Sequence, residues 1–554
     1  MKKITTNLLL ISISACFIFS SCNKSNMMTV DYQVVPLPQE ISMHEGNGFT
    51  LNRRTKIQYP QGDEVQKRNA DFLSLYIKQI TGLNLQTTDE TTLENVIILK
   101  NDYSSDKEEA YKITVDSRSI VIDGSNQAGT FYGIQTLRKS LAGINSANKI
   151  LLPACQIEDY PRFGYRGTHL DVARHMFTVE EIKTFIDILA LHNINTFHWH
   201  LTDDQGWRIE IKSRPKLTEI SSMRAQTVIG RNTGEFDGKP YGGFYTQDEA
   251  KDIIHYAQER FITIIPEIDL PGHMVAALAA YPELGCTGGP YKVEEQWGIF
   301  DDVLCAGNDD IFVFLEDVYT EIIDLFPSKY INVGGDECPK TQWKVCPKCQ
   351  KRIKELGLKS DVKHTKEEYL QSYVIQRMEK FINSKGRRVI GWDEILEGGI
   401  APDATILSWR GIEGGITAAK QSHDVVMVPT SYLYFDYYQS QDRNTEPLGI
   451  GGYVPVEKVY SFNPIPEELT KEQQKYIIGV QANLWTEYVK TAEHMQYMLL
   501  PRLAALSEVQ WMKQENRNYQ EFLPRVTKLT HLYDLFGYNY AKHIFEVKDS
   551  TSVH

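Results

Sequence analysis

The sequence predicts a (β/α)8 barrel preceded by a smaller α/β domain. Beyond about residue 158, eight apolar strand-like runs alternate with helical patterns, and acids and tryptophans directly follow the runs. The 554 residues are 42% hydrophobic and 24% charged, which is ordinary globular composition for two or three domains. The predicted segments are a signal peptide at 1–21, a tether at 22–31, an α/β domain at 32–158, the barrel at 159–512 and a helical tail at 513–554.

The first segment has the pattern of an export signal. Lys2 and Lys3 precede an apolar run at 8–19, and small residues lead into Cys22. This order resembles a bacterial lipoprotein signal, in which Cys22 becomes the lipidated first residue of the mature chain. It predicts a protein anchored in the cell envelope, on the periplasmic side or at the outer membrane. An ordinary secretory signal cut nearby is the alternative.

The small domain is predicted from mixed periodicity. Helical patterns cover 65–80 and 129–141, a strand covers 96–99, and a hairpin lies within 111–122. The turn Asp159-Tyr160-Pro161 marks its end. This part has no cluster of acids, histidines and tryptophans, so a packing or positioning role is predicted for it.

The barrel is predicted from the eight strand-like runs and from the helix starts between them. Thr178 with Glu181, and Thr246 with Glu249, have capping-box spacing. Eight βα units close into a barrel whose active site lies at the carboxyl ends of its strands. The runs are 164–170, 196–201, 263–268, 330–333, 388–391, 405–408, 424–428 and 477–482.

The fourth run is the most informative, because it passes through Gly334 and Gly335 into the adjacent acids Asp336 and Glu337. In a regular strand these acids would point to opposite faces, but glycines permit a backbone that aims both into one cleft. Taken alone, an exposed acidic turn would be the simpler interpretation. The reactive residues after the other strands favour a catalytic strand end.

These residue types suit a sugar substrate. Aromatic faces cover C–H surfaces, while acids and arginine bind hydroxyls, and the chain has no phosphate loop or dinucleotide fingerprint. The net charge of −13 argues against a nucleic-acid partner. Asp336 and Glu337 leave one strand end together, so they cannot easily flank a sugar as two opposed carboxyls do. Attack by the acetamido group of the substrate itself, supported by one of the acids, fits this arrangement.

Six motifs follow one another along the barrel. They are Arg166-Gly167 with Leu170-Asp171-x-x-Arg174-His175; His198-Trp199-His200-Leu201-Thr202-Asp203-Asp204-Gln205-Gly206-Trp207-Arg208; Pro266-Glu267-Ile268-Asp269-x-Pro271-Gly272-His273; Gly334-Gly335-Asp336-Glu337; Gly391-Trp392-Asp393-Glu394; and Leu484-Trp485-x-Glu487. Together they resemble the β-N-acetylhexosaminidases of glycoside hydrolase family 20. The resemblance implies exo-acting, retaining release of terminal β-linked N-acetylglucosamine or N-acetylgalactosamine from glycans, with no cofactor or metal.

The resemblance also implies roles for individual residues. Glu337 would be the general acid and base, Asp336 would orient the acetamido N–H, and Tyr434 would hold the acetamido oxygen. The substrate-binding set would comprise Arg166, Asp269, His273, Trp392, Trp409, Asp436, Trp485 and Glu487. Within it, Asp269 and His273 would stand behind the acid pair, and Asp203 and Asp204 would join the same charge network. Core packing is the alternative for the tryptophans, and loop capping is the alternative for Asp203, Asp204 and Glu394.

Two other functions remain open at this stage. One is a two-carboxylate retaining β-glycosidase with Asp436 as nucleophile opposite Glu337. The other is a sugar-binding lipoprotein without catalysis, although the intact Asp336-Glu337 pair weighs against it. A variant of the family that releases a disaccharide or a sulfated sugar is also open.

The cysteines are too few for a disulfide scaffold. Cys286 and Cys305 are the best candidates for a disulfide, because they bracket a Gly-rich loop that a bridge would hold over the site. Cys346 and Cys349 could be half of a zinc site, but no second pair with that spacing and no spaced histidines follow. A disulfide or free thiols are therefore the interpretation favoured over metal.

Overall fold

The structure, a computed structural model, describes residues 27–144 and 147–546. The predicted signal peptide and the lipidation residue Cys22 lie outside the described residues. Of the helices that the structure does describe, none has a stretch long and apolar enough to span a bilayer.

The N-terminal domain contains two sheets and two helices. The larger sheet consists, in spatial order, of Glu40–Met43, Cys155–Asp159, Tyr111–Val115, Ser119–Gly124, Val96–Lys100, Lys56–Gln58 and Gln86–Thr88. The smaller sheet consists of Met27–Thr29, Lys149–Leu152 and Phe49–Asn52. The predicted tether at 22–31 is therefore too long, because Met27–Thr29 already pairs with residues 149–151.

The two helices of this domain lie where the sequence predicts them. The helix Glu64–Thr81 begins at the cap Asp63, whose carboxylate accepts two backbone N–H bonds, and ends at the left-handed Gly82. The helix Gln127–Ser140 is buried along most of its length, because it packs on the sheet and also contacts the barrel. Its Tyr132 ring lies 5.2 Å from the ring of Trp511. The small domain is thereby packed onto the barrel.

The predicted (β/α)8 barrel is confirmed. Eight parallel strands close in chain order, with the first strand paired to both the second and the eighth. Each strand lies within one residue of its predicted bounds. The barrel strands are Tyr165–Asp171, Thr196–His200, Thr263–Glu267, Tyr330–Asn332, Arg388–Trp392, Thr405–Ser408, Val425–Met427 and Ile477–Ala482.

Helices of very different lengths connect these strands. Complete capping boxes start the helices after Thr178 and Thr246, as their spacing predicts. The longer helices are Val179–Leu191, Gln247–Gln258, Asp310–Leu325, Pro347–Glu355, Lys366–Ser384, Glu413–Lys420, Ala492–Leu499, Arg502–Trp511 and Tyr519–Phe536. The shorter ones are Lys216–Glu219, Val275–Ala280, Thr341–Val345, Thr430–Leu433, Val456–Ser461 and Lys471–Gln474. Three small ribbons pair Thr202–Asp203 with Gly206–Trp207, Met223–Arg224 with Tyr241–Gly242, and Tyr437–Tyr438 with Gly451–Tyr453.

The predicted disulfide between Cys286 and Cys305 is wrong, because both residues are free thiols. The Cys286 Sγ lies 3.8 Å from the Cys349 Sγ, and the Cys305 Sγ lies 3.6 Å from that same atom. A disulfide requires about 2.05 Å between the sulfurs. The loop between Cys286 and Cys305 is instead gathered against the Cys346–Cys349 segment.

Candidate active site

A small cavity opens at the carboxyl ends of the barrel strands. Its volume is about 180 Å³, which is below the roughly 300–1,000 Å³ of pockets for drug-sized ligands and suits a single sugar residue. Loops from several strands contribute to its wall. The lining residues are Arg174, His273, Asp336, Glu337, Trp392, Trp409, Thr430, Tyr434, Asp436, Tyr437, Ile450, Trp485 and Glu487.

A larger cavity, of about 800 Å³, lies at the opposite end of the barrel. Its lining comes from the amino ends of the strands, for example Tyr165, Thr196 and Thr263, and from Glu109 of the small domain. In (β/α)8 barrels the amino face contributes stability, whereas the carboxyl face carries the chemistry. The smaller cavity is therefore the candidate site.

The acid pair leaves the fourth strand through an irregular backbone. Gly334, Gly335 and Glu337 all have left-handed φ values, of 63°, 98° and 45°. A Cβ at Gly334 would lie 1.7 Å from the Asp269 Oδ1, so only glycine fits there. The turn buries Asp336, whereas the Glu337 side chain remains 35% exposed. The sequence-based expectation that the glycines let both acids face one cleft agrees with this geometry.

His273 connects this acid pair to a second pair of acids behind it. Its Nε2 lies 3.7 Å from both the Asp336 Oδ2 and the Glu337 Oε2. Its Nδ1 donates to the Asp203 Oδ1 at 3.1 Å and to the Asp204 Oδ2 at 3.0 Å. These carboxylates outweigh the effect of burial and hold the pKa of His273 well above its usual value. A buried imidazolium therefore stands beside Asp336.

Asp269 and Glu267 support the site from the neighbouring third strand. The Asp269 Oδ1 accepts from the Gly335 N–H at 3.1 Å, which fixes the turn before the acid pair. Burial and the nearby Asp336 raise the pKa of Asp269 well above its usual value. The Glu267 Oε1 accepts from the Trp392 Nε1 at 2.8 Å, and its Oε2 binds His200. Both acids hold other site residues in place.

Aromatic side chains form the wall of the pocket. The ring of Trp392 lies 5.8 Å from that of Trp485, and the rings of Trp409 and Tyr434 stack at 6.1 Å. The Trp409 Nε1 donates to the Glu394 Oε2 at 2.8 Å. Burial, with Asp336 and Asp393 nearby, raises the pKa of Glu394 to about 8. Glu394 thus orients an aromatic ring of the wall.

Arg174, Asp436 and Glu487 stand together in the lining. The Arg174 guanidinium is held by the Asp171 Oδ2 at 3.2 Å and by the Asp203 Oδ2 at 2.9 Å. Burial, together with nearby Glu487, raises the pKa of Asp436 well above its usual value. Both Asp436 carboxyl oxygens are buried without a hydrogen-bond partner among the described residues. Such groups are ready to bind hydroxyls of a ligand.

The sequence-based placement of Arg166 in the site is wrong. Arg166 lies at the amino end of the first strand, five residues before Asp171, or roughly 16 Å at about 3.3 Å per strand residue. Its Nη1 pairs with the Glu109 Oε2 at 2.6 Å, and its Nε donates to the Asn193 carbonyl at 2.9 Å. Arg166 therefore links the small domain to the amino end of the barrel. Arg174 is the arginine that lines the pocket.

The other predicted site residues converge in space. Asp269 lies directly behind the cavity, and the remaining predicted residues line it. Sequence reasoning gave no binding role to Arg174 and did not find Thr430, Tyr437 or Ile450. The sequence does show Arg174 among the reactive residues that follow strand ends, and Thr430 also follows a strand end, so the same signal could have found it. Ile450 comes from a long loop, where sequence offers no such signal.

A (β/α)8 barrel with paired acids and an aromatic pocket of sugar size at its carboxyl face defines a protein of the glycoside hydrolase type. The chain belongs to glycoside hydrolase family 20. The catalytic domain of that family matches residues 163–514. The family's domain 2 matches residues 31–160.

Named relatives are similar along most of the chain. A β-hexosaminidase of Porphyromonas gingivalis is 45% identical over 92% of this chain, which spans 64% of that relative's length. A β-hexosaminidase of Vibrio furnissii is 35% identical over 86% of this chain and 76% of its own. The crystal structure of an exo β-N-acetylglucosaminidase from Vibrio harveyi, in complex with N-acetylglucosamine, superposes with a TM-score of 0.81 at 32% identity, covering 93% of this chain and 79% of that one.

Proposed function

We propose that this protein is an exo-acting β-N-acetylhexosaminidase that removes terminal β-linked N-acetylglucosamine or N-acetylgalactosamine from glycans with retention of configuration. The observation that carries the proposal is the position of Asp336. Its Oδ1 is buried beside the exposed Glu337 and has no hydrogen-bond partner among the described residues. It is placed to accept an N–H from the substrate rather than to attack the opposite face of the sugar.

The reaction would proceed in two steps. Glu337 donates its proton to the glycosidic oxygen while the acetamido oxygen of the substrate attacks the anomeric carbon, so that the bond to the leaving group breaks and an oxazolinium ring forms. The Asp336 carboxylate accepts the acetamido N–H and stabilises the positive charge of the ring. Glu337 then takes a proton from water, which opens the ring at the anomeric carbon. Two inversions give net retention.

The ionisation of Asp436 disfavours it as a nucleophile. A nucleophile must be a carboxylate, but burial and Glu487 raise the pKa of Asp436 well above its usual value. The unpartnered carboxyl oxygens of Asp436 can instead bind a sugar hydroxyl. Together with Arg174 and Glu487 it would grip the terminal ring, and the small volume of the cavity would restrict the enzyme to chain ends.

The proposal is tested by comparing hydrolysis of an aryl β-N-acetylglucosaminide with that of the matching aryl β-glucoside. The two substrates differ only in the acetamido group. Strong activity on the first and almost none on the second is the expected result, because the glucoside lacks the internal nucleophile. Comparable rates on both would contradict the mechanism and favour Asp436 as nucleophile, whereas inactivity on both would favour a sugar-binding protein.

Arg174, and not Arg166, is the arginine that lines the pocket, so its replacement should weaken substrate binding. Arg174→Lys is expected to lower kcat/KM about 10- to 100-fold, mainly through KM, because a lysine cannot reproduce the guanidinium's fork of hydrogen bonds to a sugar. Steady-state kinetics on the aryl β-N-acetylglucosaminide measures this effect.

The matched control is Arg166→Lys at the other end of the same strand. It is expected to leave KM unchanged and to lower the melting temperature, because Arg166 is a buried partner of Glu109. A raised KM in Arg166→Lys with a normal KM in Arg174→Lys would show that Arg166, and not Arg174, binds the substrate.

We also propose that the protein is a lipoprotein of the cell envelope, anchored through Cys22. The support is the order of the sequence, with Lys2 and Lys3, an apolar run, small residues and then Cys22. In a bacterial host fed an alkyne fatty acid, the full chain should be labelled and should sediment with membranes. Cys22→Ser should abolish the labelling, whereas Cys16→Ser, which changes a cysteine within the apolar run, should keep it. Equal labelling of the two variants would refute the anchor.

A further inference from the structure

Four cysteines that are distant in the sequence meet between the loops that follow the third and fourth strands. Cys286 and Cys305 belong to the long loop after the third strand, and Cys346 and Cys349 belong to the segment after the fourth. Cys286 is 63 positions from Cys349, and Cys305 is 41 positions from Cys346. The four sulfur atoms nevertheless all lie within 4.8 Å of one another.

The sulfur separations are those of a metal site. The Sγ–Sγ distances are 3.6 Å for Cys305–Cys349, 3.7 Å for Cys305–Cys346 and 3.8 Å for Cys286–Cys349. Four sulfurs at about 2.3 Å from a zinc ion form a tetrahedron with edges of about 3.8 Å. We propose that Cys286, Cys305, Cys346 and Cys349 bind one structural zinc ion, a site that is independent of the proposed catalytic function.

The surroundings of the cluster suit a closed structural site. Cys305, Cys346 and Cys349 are buried, and Cys286 is half-buried. Four soft sulfur ligands in tetrahedral arrangement select zinc among the common divalent ions, and a site filled by four protein ligands leaves no position for a reacting water. Each thiol gives up its proton to solvent when it binds, so the occupied cluster carries a charge of about −2.

The segment that carries Cys346 and Cys349 has features that favour a negatively charged cluster. Cys346 caps the helix Pro347–Glu355, and Cys349 lies in its first turn, where the partial positive charge of the helix favours thiolates. The segment is also strongly basic. Its cations are Lys344, Lys348, Lys351, Arg352 and Lys354.

The two cysteine-bearing segments are also fitted to each other beyond the sulfurs. A Cβ at Gly307 would lie 2.1 Å from the carbonyl carbon of Lys348, so the loop after Cys305 runs directly against the next segment's backbone. The Trp343 Nε1 donates to the Leu304 carbonyl at 2.9 Å. The zinc would therefore lock the loop that follows His273 to the segment that begins just after Glu337.

Metal analysis and X-ray absorption of the purified full chain, prepared without chelators, test the proposal. The expected result is about one zinc per chain with four sulfur neighbours at about 2.3 Å. Absence of zinc with a disulfide among these four cysteines in non-reducing peptide mapping would overturn it. Iron in place of zinc, or nitrogen and oxygen neighbours around the zinc, would overturn it as well.

A pair of variants provides a second readout. Cys346→Ser/Cys349→Ser should lose the zinc and unfold at a lower temperature, whereas Cys155→Ala, which removes a buried thiol of the small domain, should retain one zinc per chain. If the double variant does not fold, X-ray absorption of the unmodified chain still decides. Equal zinc content in both variants would refute the assignment of these ligands. Inactivity toward the aryl substrates with zinc present would count against the proposed function alone.

Discussion

Replacing Glu337 with glutamine is expected to lower kcat about 10²- to 10⁴-fold on a β-N-acetylglucosaminide with a poor leaving group. Glutamine retains the shape of the side chain but cannot donate a proton to the leaving oxygen. Glu337 is suited to this role because its side chain remains 35% exposed, whereas Asp336 and Asp436 in the same pocket are buried. Steady-state kinetics with a methyl or disaccharide substrate measures the loss.

The leaving group separates proton donation from a structural effect. A dinitrophenyl group departs without protonation, so Glu337→Gln should lose much less activity on the dinitrophenyl glycoside than on the poor substrate. Glu472→Gln is the matched control, because Glu472 is exposed near the amino end of the eighth strand and should leave both rates unchanged. An equal loss of Glu337→Gln activity on both substrates would mean that Glu337 is not the proton donor.

The barrel could be predicted closely because its strands are buried on both faces and therefore appear as apolar runs with sharp ends. The strand Tyr330–Asn332 shows why the location of the acid pair can be inferred from the strand that precedes it. The residues after a parallel strand must emerge at the carboxyl face, so a sequence that predicts this strand also predicts the face on which Asp336 and Glu337 lie.

The error at Arg166 has a geometric cause. Arg166 and Arg174 belong to the same motif, and both are buried and bind acids. They lie at opposite ends of the barrel because the strand Tyr165–Asp171 separates them. A residue at the start of a strand belongs to the amino face, so the rule that puts Asp336 and Glu337 at the carboxyl face also excludes Arg166 from the site.

The cysteine cluster could not be predicted from spacing. Cys346 and Cys349 form a recognisable half-site, but Cys286 and Cys305 are presented one by one from an irregular loop. Their approach depends on how the loops after the third and fourth strands pack against each other, for example at Gly307 and Trp343. No local periodicity encodes that contact.

Replacing Asp336 with asparagine is expected to lower kcat roughly 10²- to 10³-fold on N-acetyl substrates, because the amide cannot neutralise the positive charge of the oxazolinium ring.

The ionisation of Asp336 should also determine how kcat/KM depends on pH. Burial, with Glu267 and Glu337 nearby and opposed by the His273 imidazolium, raises the pKa of Asp336 to about 6. The working form is the carboxylate, so kcat/KM should fall as the pH drops below about 6, approaching tenfold per pH unit. Asp336→Asn should lack this acid limb.

Asp424→Asn is the matched control for Asp336→Asn, because Asp424 pairs with Arg388 at the amino face of the barrel and should leave the acid limb in place. The leaving group separates the two catalytic acids. Asp336 acts on the acetamido group, so its loss should reduce rates similarly for good and poor leaving groups, unlike the loss of Glu337. An unchanged acid limb in Asp336→Asn, or a defect that disappears with a dinitrophenyl leaving group, would show that Asp336 does not stabilise the ring cation. Another residue would then have to accept the acetamido N–H and stabilise the ring cation.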